Sequence, residues 1–159
     1  LFRSLIDPEL INSVADLLSK DLSASIATCA APIHTAENLF NPNIVKVVCG
    51  ASGHALYFSR APIPWLRDAP ANPGQTTGFA VPALHHIGLY AYRVGFLRQF
   101  PQLPAGTLER LESLEQLRAL EHGFKIAVQT ISNHPGAGVD TPEDLKRVRS
   151  YFENKASSG

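Results

Sequence analysis

The sequence has no methionine, one tryptophan, two cysteines and no excess of either charge, with 14 Lys and Arg against 14 Asp and Glu. Each scarcity excludes something. Cys29 and Cys49 stand apart, with no Cys-x-x-Cys or Cys/His cluster beside them, so neither a zinc site nor a multi-bridge disulfide scaffold is supported. A reducing cytoplasm is the expected setting. Nucleic acid and anionic membrane surfaces both select clustered Lys and Arg, and a balanced chain gives no electrostatic reason to expect either. No apolar run reaches the roughly 18 residues that span a bilayer, and the first residues lack the basic-then-apolar order of a signal peptide. Initiator methionine is normally removed only before small residues, so a chain opening on Leu1 is expected to continue an upstream segment.

What is present fits one soluble globular domain, since 159 residues are 45% hydrophobic and only 18% charged. Asp7-Pro8-Glu9 offers an N-cap, an N1 proline and an early acid, and Leu10, Ile11, Val14, Leu17 and Leu18 follow at helical spacing. This predicts an amphipathic helix over 8–20. Ser25 to Ile33 reads as a strand, and Glu37 to Phe40 as one helical turn. Ile44–Cys49 and His54–Ser59 flank Gly50-Ala51-Ser52-Gly53 and predict a β-hairpin. Five prolines from Pro62 to Pro82 deny that segment ladder donors and helical continuity, which predicts a long loop serving as a lid or a partner contact.

His85–Tyr92 is expected to be a strand, Gly95–Phe100 a short helix and Lys125–Ile131 another strand. Leucines at 108, 111, 114, 117 and 120 drift around a helix, so two short helices are expected, one ending near Glu112 and one starting at Leu114. Ser113 and Gln116 read as a capping box between them, and His122-Gly123 as the closing signal. Asn133 to Gly138 is a turn-rich loop, Thr141 to Phe152 a final helix, and 155–159 a frayed tail. Alternating strands and helices make the class α/β with a mixed sheet, doubly wound in preference to α+β. Ligands then belong beyond the strand ends, in the loops after Ser59, Tyr92 and Ile131.

Several residues could carry chemistry. Strand alternation puts His86, Gly88, Tyr90 and Tyr92 on one face, where an imidazole and a phenol flanking a glycine could cradle a polyhydroxylated acid, or could simply bond to protein. Arg60 at a strand end has a guanidinium free to reach a carboxylate, or to form a surface ion pair. Glu115 and Gln116 could recognise hydroxyls or merely cap a helix. Asp140, beside a glycine-rich loop, is either half of a Mg²⁺ site or a loop-closing carboxylate. No nucleophile with an adjacent base is present.

Five collinear segments carry a resemblance: Asn41-Pro42-Asn43-Ile44-Val45-Lys46-Val47-Val48, Ala55-Leu56-Tyr57-Phe58-Ser59-Arg60-Ala61-Pro62-Ile63-Pro64-Trp65, His86-Ile87-Gly88-Leu89-Tyr90-Ala91-Tyr92-Arg93, Leu114-Glu115-Gln116-Leu117-Arg118 and Gly138-Val139-Asp140-Thr141-Pro142-Glu143-Asp144-Leu145. Together they resemble the CMP-Kdo synthetases, the 3-deoxy-manno-octulosonate cytidylyltransferases, from about Leu5 to Phe152. The resemblance implies a Rossmann-like nucleotide-diphospho-sugar transferase fold. It also implies a reaction in which the anomeric hydroxyl of Kdo attacks the α-phosphate of CTP, giving CMP-Kdo and pyrophosphate for lipopolysaccharide synthesis with Mg²⁺ as cofactor. It places Arg60, His86, Tyr90, Glu115 and Gln116 around the sugar acid and makes Asp140 a metal-binding, catalytic carboxylate. A cytoplasmic homodimer joined through the hairpin and the proline-rich loop is expected.

The chain departs from the pattern in two places. Nothing in it corresponds to the family's N-terminal strand and glycine- and Arg-rich loop for CTP. Leu1-Phe2-Arg3-Ser4 also stands where the family has Gly-Asp-Glu-Pro, with Phe2 in place of the second metal-binding Asp. Residues 1–159 are therefore read as a single partial domain, the sugar-acid-binding and dimerisation half without the nucleotide-binding part, and inactive alone. The competing reading is a non-catalytic sugar-acid-binding or dimerisation module. A cytidylyltransferase for another acidic sugar, such as a sialic acid, fits the five segments less well.

Overall fold

The computed structural model describes residues 6–65, 67, 83–132, 146 and 149–150. Helix α1 (Pro8–Lys20) starts where Asp7 accepts the Glu9 N–H at 2.9 Å, with Pro8 in the first turn where its missing donor costs nothing. Its last carbonyls are not left bare. The Arg93 guanidinium donates to the carbonyls of Leu18 at 2.7 Å, Asp21 at 2.9 Å and Ala24 at 2.8 Å, tying the helix end to the sheet. The loop after Tyr92, expected to face a ligand, thus begins with a structural arginine.

Five strands form one mixed sheet in the order β3-β2-β4-β1-β5. They are β1 (Ile26–Pro32), β2 (Lys46–Cys49), β3 (Ala55–Ser59), β4 (Leu84–Tyr92) and β5 (Ile126–Thr130). β1 runs parallel to β5 and antiparallel to β4, while β2 and β3 make the predicted hairpin, with Gly53 at φ 79° in its turn. A short helix, α2 (Ala36–Phe40), is capped by Thr35 before β2. The hairpin turn is tethered to the end of α1 through His54 Nε2 and Asp21 Oδ2 at 2.6 Å. Hydrogen bonds from Ser23 and His54 hold the Asp21 carboxyl down at about 2.

Helices cover both faces, as a doubly wound arrangement requires. α1 packs Val14 and Leu18 against Ala27, Cys29, Ala31, Ile87 and Ala127, a run of small side chains that lets the helix approach closely. The opposite face gathers Ile26, Val47, Phe58, Phe96, Leu117 and Ile126 beneath α3 (Val94–Gln99) and α5 (Gln116–Glu121). Each large side chain fully buried there, such as Phe58 or Leu117, contributes about 2 kcal/mol.

Several expectations need correction. The helix predicted over 95–100 starts at Val94 and passes into a 3₁₀ turn, Phe100–Gln102, because Pro101 has no N–H to continue an α-helix. The two predicted short helices are α4 (Thr107–Glu112) and α5, but Ser113 is not the N-cap of the second. It adopts the left-handed conformation, φ 53°, and terminates α4, so α5 begins at Gln116 instead of Leu114. Glu115 occupies its N-cap without a side-chain cap bond, and the capping box does not form. Gly123, at φ 78°, closes α5 as expected. Most of the proline-rich loop, the Asn133–Gly138 loop, most of the final helix and the 155–159 tail lie outside the described residues.

The start of α4 depends on a neighbour. Gly106 has no side chain to cap with, and the Glu121 carboxylate from α5 accepts the N–H groups of Leu108 at 3.1 Å and Glu109 at 3.3 Å in its place. A Cβ at position 106 would collide with that carboxylate, so a side chain there would push Glu121 off the two amides it caps. Arg118 adds a bidentate ion pair from α5 to Glu109.

Candidate functional site

The hairpin and β4 place two of the expected site residues in register. Lys46 pairs with Ser59 on one side and with His85 on the other, so Ser59, Lys46 and His85 form a row across β3, β2 and β4. The next residues along the two outer, mutually parallel strands are Arg60 and His86. Two strand spacings separate their backbones, about 10 Å, a span suited to a small polyhydroxylated acid.

Arg60 is more constrained than expected. Its guanidinium is not wholly free, for Nε donates to the Glu112 carbonyl at 2.8 Å and Nη1 to the Pro42 carbonyl at 3.1 Å. Its backbone N–H donates to Glu112 Oε2 at 2.9 Å, and its carbonyl accepts from Lys46 Nζ at 2.6 Å. Nη2 bonds to no protein group among the described residues, and it is the edge of the fork that remains for a carboxylate.

Glu112 and Lys46 build this arrangement. The Glu112 carboxylate also accepts the Ser59 hydroxyl at 2.6 Å and the Tyr57 hydroxyl at 3.3 Å. Burial pushes its pKa up, but the hydrogen bonds from Arg60, Ser59 and Tyr57 outweigh that and hold it below the usual glutamate value. Tyr57 is raised in turn by its own burial and by the Glu112 charge. Lys46 is 0% exposed, and its ammonium donates to three carbonyls, of Asn41 at 2.9 Å, Ile44 at 2.6 Å and Arg60 at 2.6 Å. Removal from water lowers its pKa in spite of the nearby Glu112.

The face of β4 follows the predicted alternation, with Tyr90 and Tyr92 toward one core and Ile87, Leu89 and Ala91 toward the other. The two rings expected to flank Gly88 lie against each other, however. His86, 7% exposed, packs its ring 4.9 Å from Phe58 and 5.3 Å from Tyr90, in an aromatic ladder that continues through Tyr92 and Phe96. The reason is a bulge. Thr28 pairs with Tyr90 but Cys29 pairs with Ile87, so β4 carries extra residues that swing the two rings together. His86 Nε2 lies 3.0 Å from Thr28 Oγ1.

Glu115 is exposed and Gln116 buried at the start of α5. Burial first, and then the Glu115 charge, pushes Tyr92 up to about 12, so the Glu115 charge is felt at this end of the aromatic ladder. The structure therefore joins His86 to Tyr90, and Glu115 electrostatically to Tyr92. Arg60 approaches the group through the β3-β2-β4 row and through Glu112, three residues before Glu115. Asp140 lies outside the described residues. Among them, no group of three or more His, Cys, Asp or Glu side chains gathers to hold a metal ion.

Three contributors escape a reading by sequence. Lys46 carried a usable signal, since a lone charge amid Ile44, Val45, Val47 and Val48 implies a buried, fully bonded cation. Glu112 and Thr28 carried none, because their roles depend on contacts from residues more than fifty positions away.

This fold belongs to a known class. The sequence profile of the cytidylyltransferase family matches residues 3–126, and the chain belongs to that family of nucleotidyltransferases. Within it, the chain is 59% identical over 156 residues to the 3-deoxy-manno-octulosonate cytidylyltransferase of Acidovorax sp. (strain JS42), covering 93% of this chain and 59% of that protein. It is 58% identical to the protein of the same name from Acidovorax ebreus (strain TPSY), with the same coverage. A solved structure of CMP:2-keto-3-deoxy-manno-octonic acid synthetase complexed with CTP superposes with a TM-score of 0.82 at 35% identity, over 95% of this chain and 58% of that one. The chain thus spans about three fifths of the length of the relatives it matches. Among the described residues no helix is long and apolar enough to cross a membrane.

Proposed function

We propose that this chain forms the sugar-acid side of a cytidylyltransferase that joins Kdo to CTP, giving CMP-Kdo and pyrophosphate. The observation that carries the reading is the preset Arg60, its guanidinium held at two points and its backbone at two more, with one edge of the fork left over and set in register with His86. Kdo offers a carboxylate for that edge and several hydroxyls for His86, Tyr90, Glu115 and Gln116. The names of the relatives supply the substrate, and the CTP-bound neighbour supplies the nucleotide. Nucleotidyl transfer of this kind rests on positioning and charge neutralisation, so it asks for no protein nucleophile. Activity belongs to the whole protein in this proposal, since the relatives are longer. Magnesium comes into it only through Asp140, outside the described residues, and the described side chains do not by themselves fit a metal.

Calorimetry with Kdo is expected to show saturable binding that falls by about tenfold or more in Arg60→Ala, the loss of a charge-assisted hydrogen bond. Equal affinity in the variant would remove Arg60 from the site. A homodimer through the hairpin is also part of the proposal. β3 is an edge strand, and its Leu56 is 65% exposed, an apolar group that a second copy would cover. Sedimentation is expected to show a dimer, and a lone monomer at high concentration would end this part of the reading.

A further inference from the structure

Thr28 has one hydroxyl hydrogen and three partners within reach: the Leu89 carbonyl at 2.7 Å, the Ile87 carbonyl at 3.2 Å and His86 Nε2 at 3.0 Å. Two oxygens 2.7 Å apart repel unless a proton lies between them, so the hydrogen goes to Leu89. The hydroxyl oxygen then has only lone pairs to offer the ring, and the 3.0 Å contact requires a proton on Nε2. In a neutral imidazole, Nδ1 is then the acceptor. The bulge between Thr28 and Cys29 creates this geometry, because it turns the Ile87 and Leu89 carbonyls onto one buried hydroxyl.

We propose that Thr28 is a positioning residue that locks His86 in the Nε2–H tautomer and fixes the orientation in which its ring meets the sugar acid. The second half rests on the function proposed above; the lock itself does not. Valine in place of Thr28 keeps the shape and removes both the acceptor for Nε2–H and the donor to Leu89. Serine keeps both.

The test is a long-range proton–nitrogen correlation spectrum of the ¹⁵N-labelled chain, taken well above the imidazole titration range, with the His86 signals assigned by their loss in His86→Gln. The wild type and Thr28→Ser are expected to show a pyrrole-type Nε2 and a pyridine-type Nδ1, and Thr28→Val a mixed or reversed pattern. A pyridine-type Nε2 in the wild type, or an unchanged pattern in a folded Thr28→Val, overturns the lock. If the valine variant does not fold, the wild-type and serine spectra still decide. Kdo titrated into the same samples is expected to bind about tenfold more weakly to Thr28→Val than to Thr28→Ser. Equal affinity overturns the positioning role. A wild type that shows the Nε2–H tautomer and binds no Kdo upholds the lock and refutes the sugar-acid reading instead.

Discussion

Replacing Lys46 with methionine is expected to lower stability by about 3 kcal/mol, because one substitution strips the donor from three carbonyls in a buried setting. Methionine fills nearly the same volume, so little of this loss is packing. For a domain of this size the melting temperature should fall by about 6–12 °C, with the denaturant slope unchanged. The loss should extend beyond stability. One of the three carbonyls belongs to Arg60, so Kdo affinity should drop as well even though Lys46 reaches no ligand itself. An unchanged melting temperature would mean that the three carbonyls are satisfied without the ammonium.

Glu112→Gln is the second large effect, and its reason is chemical polarity, not size. The carboxylate accepts from Ser59, Tyr57 and the Arg60 N–H, whereas an amide must turn its own NH₂ toward at least one of those donors. A loss of about 2–3 kcal/mol is expected, together with weaker Kdo binding. The same group sets an acid limit. Its folded pKa is held below the ordinary glutamate value of 4.5, so its contribution is fully present above that value and disappears as the pH falls through the lowered one. Melting temperatures recorded on acidification should therefore decline more steeply in the wild type than in Glu112→Gln. Parallel acid limbs would contradict the assignment.

The fold was largely legible because its signals are local. Asp7-Pro8 announced α1, the paired glycines announced the hairpin, and the leucine drift announced two helices where one would not close. Ser113 was misread for a physical reason. A serine three residues before a glutamine matches an N-cap, but the turn between α4 and α5 needs a left-handed residue, and that backbone demand prevailed over the side-chain pattern. The candidate site was open to reading only by residue type. Arg60, His86 and Tyr90 could be named from strand ends and alternation, but the bulge that presses His86 onto Tyr90 is set by the pairing of β1 with β4. Nothing local to either strand encodes it.

The borrowed cap at the start of α4 carries a dynamic consequence. A helix of six residues whose first amides are held by the carboxylate of the following helix cannot fray on its own. The amides of 107–112 and 116–121 should accordingly exchange with solvent deuterium at matched rates, opening as one unit. Each such opening would release Glu112 from Arg60, so the rate at which this helical pair breathes sets how often the guanidinium loses its grip.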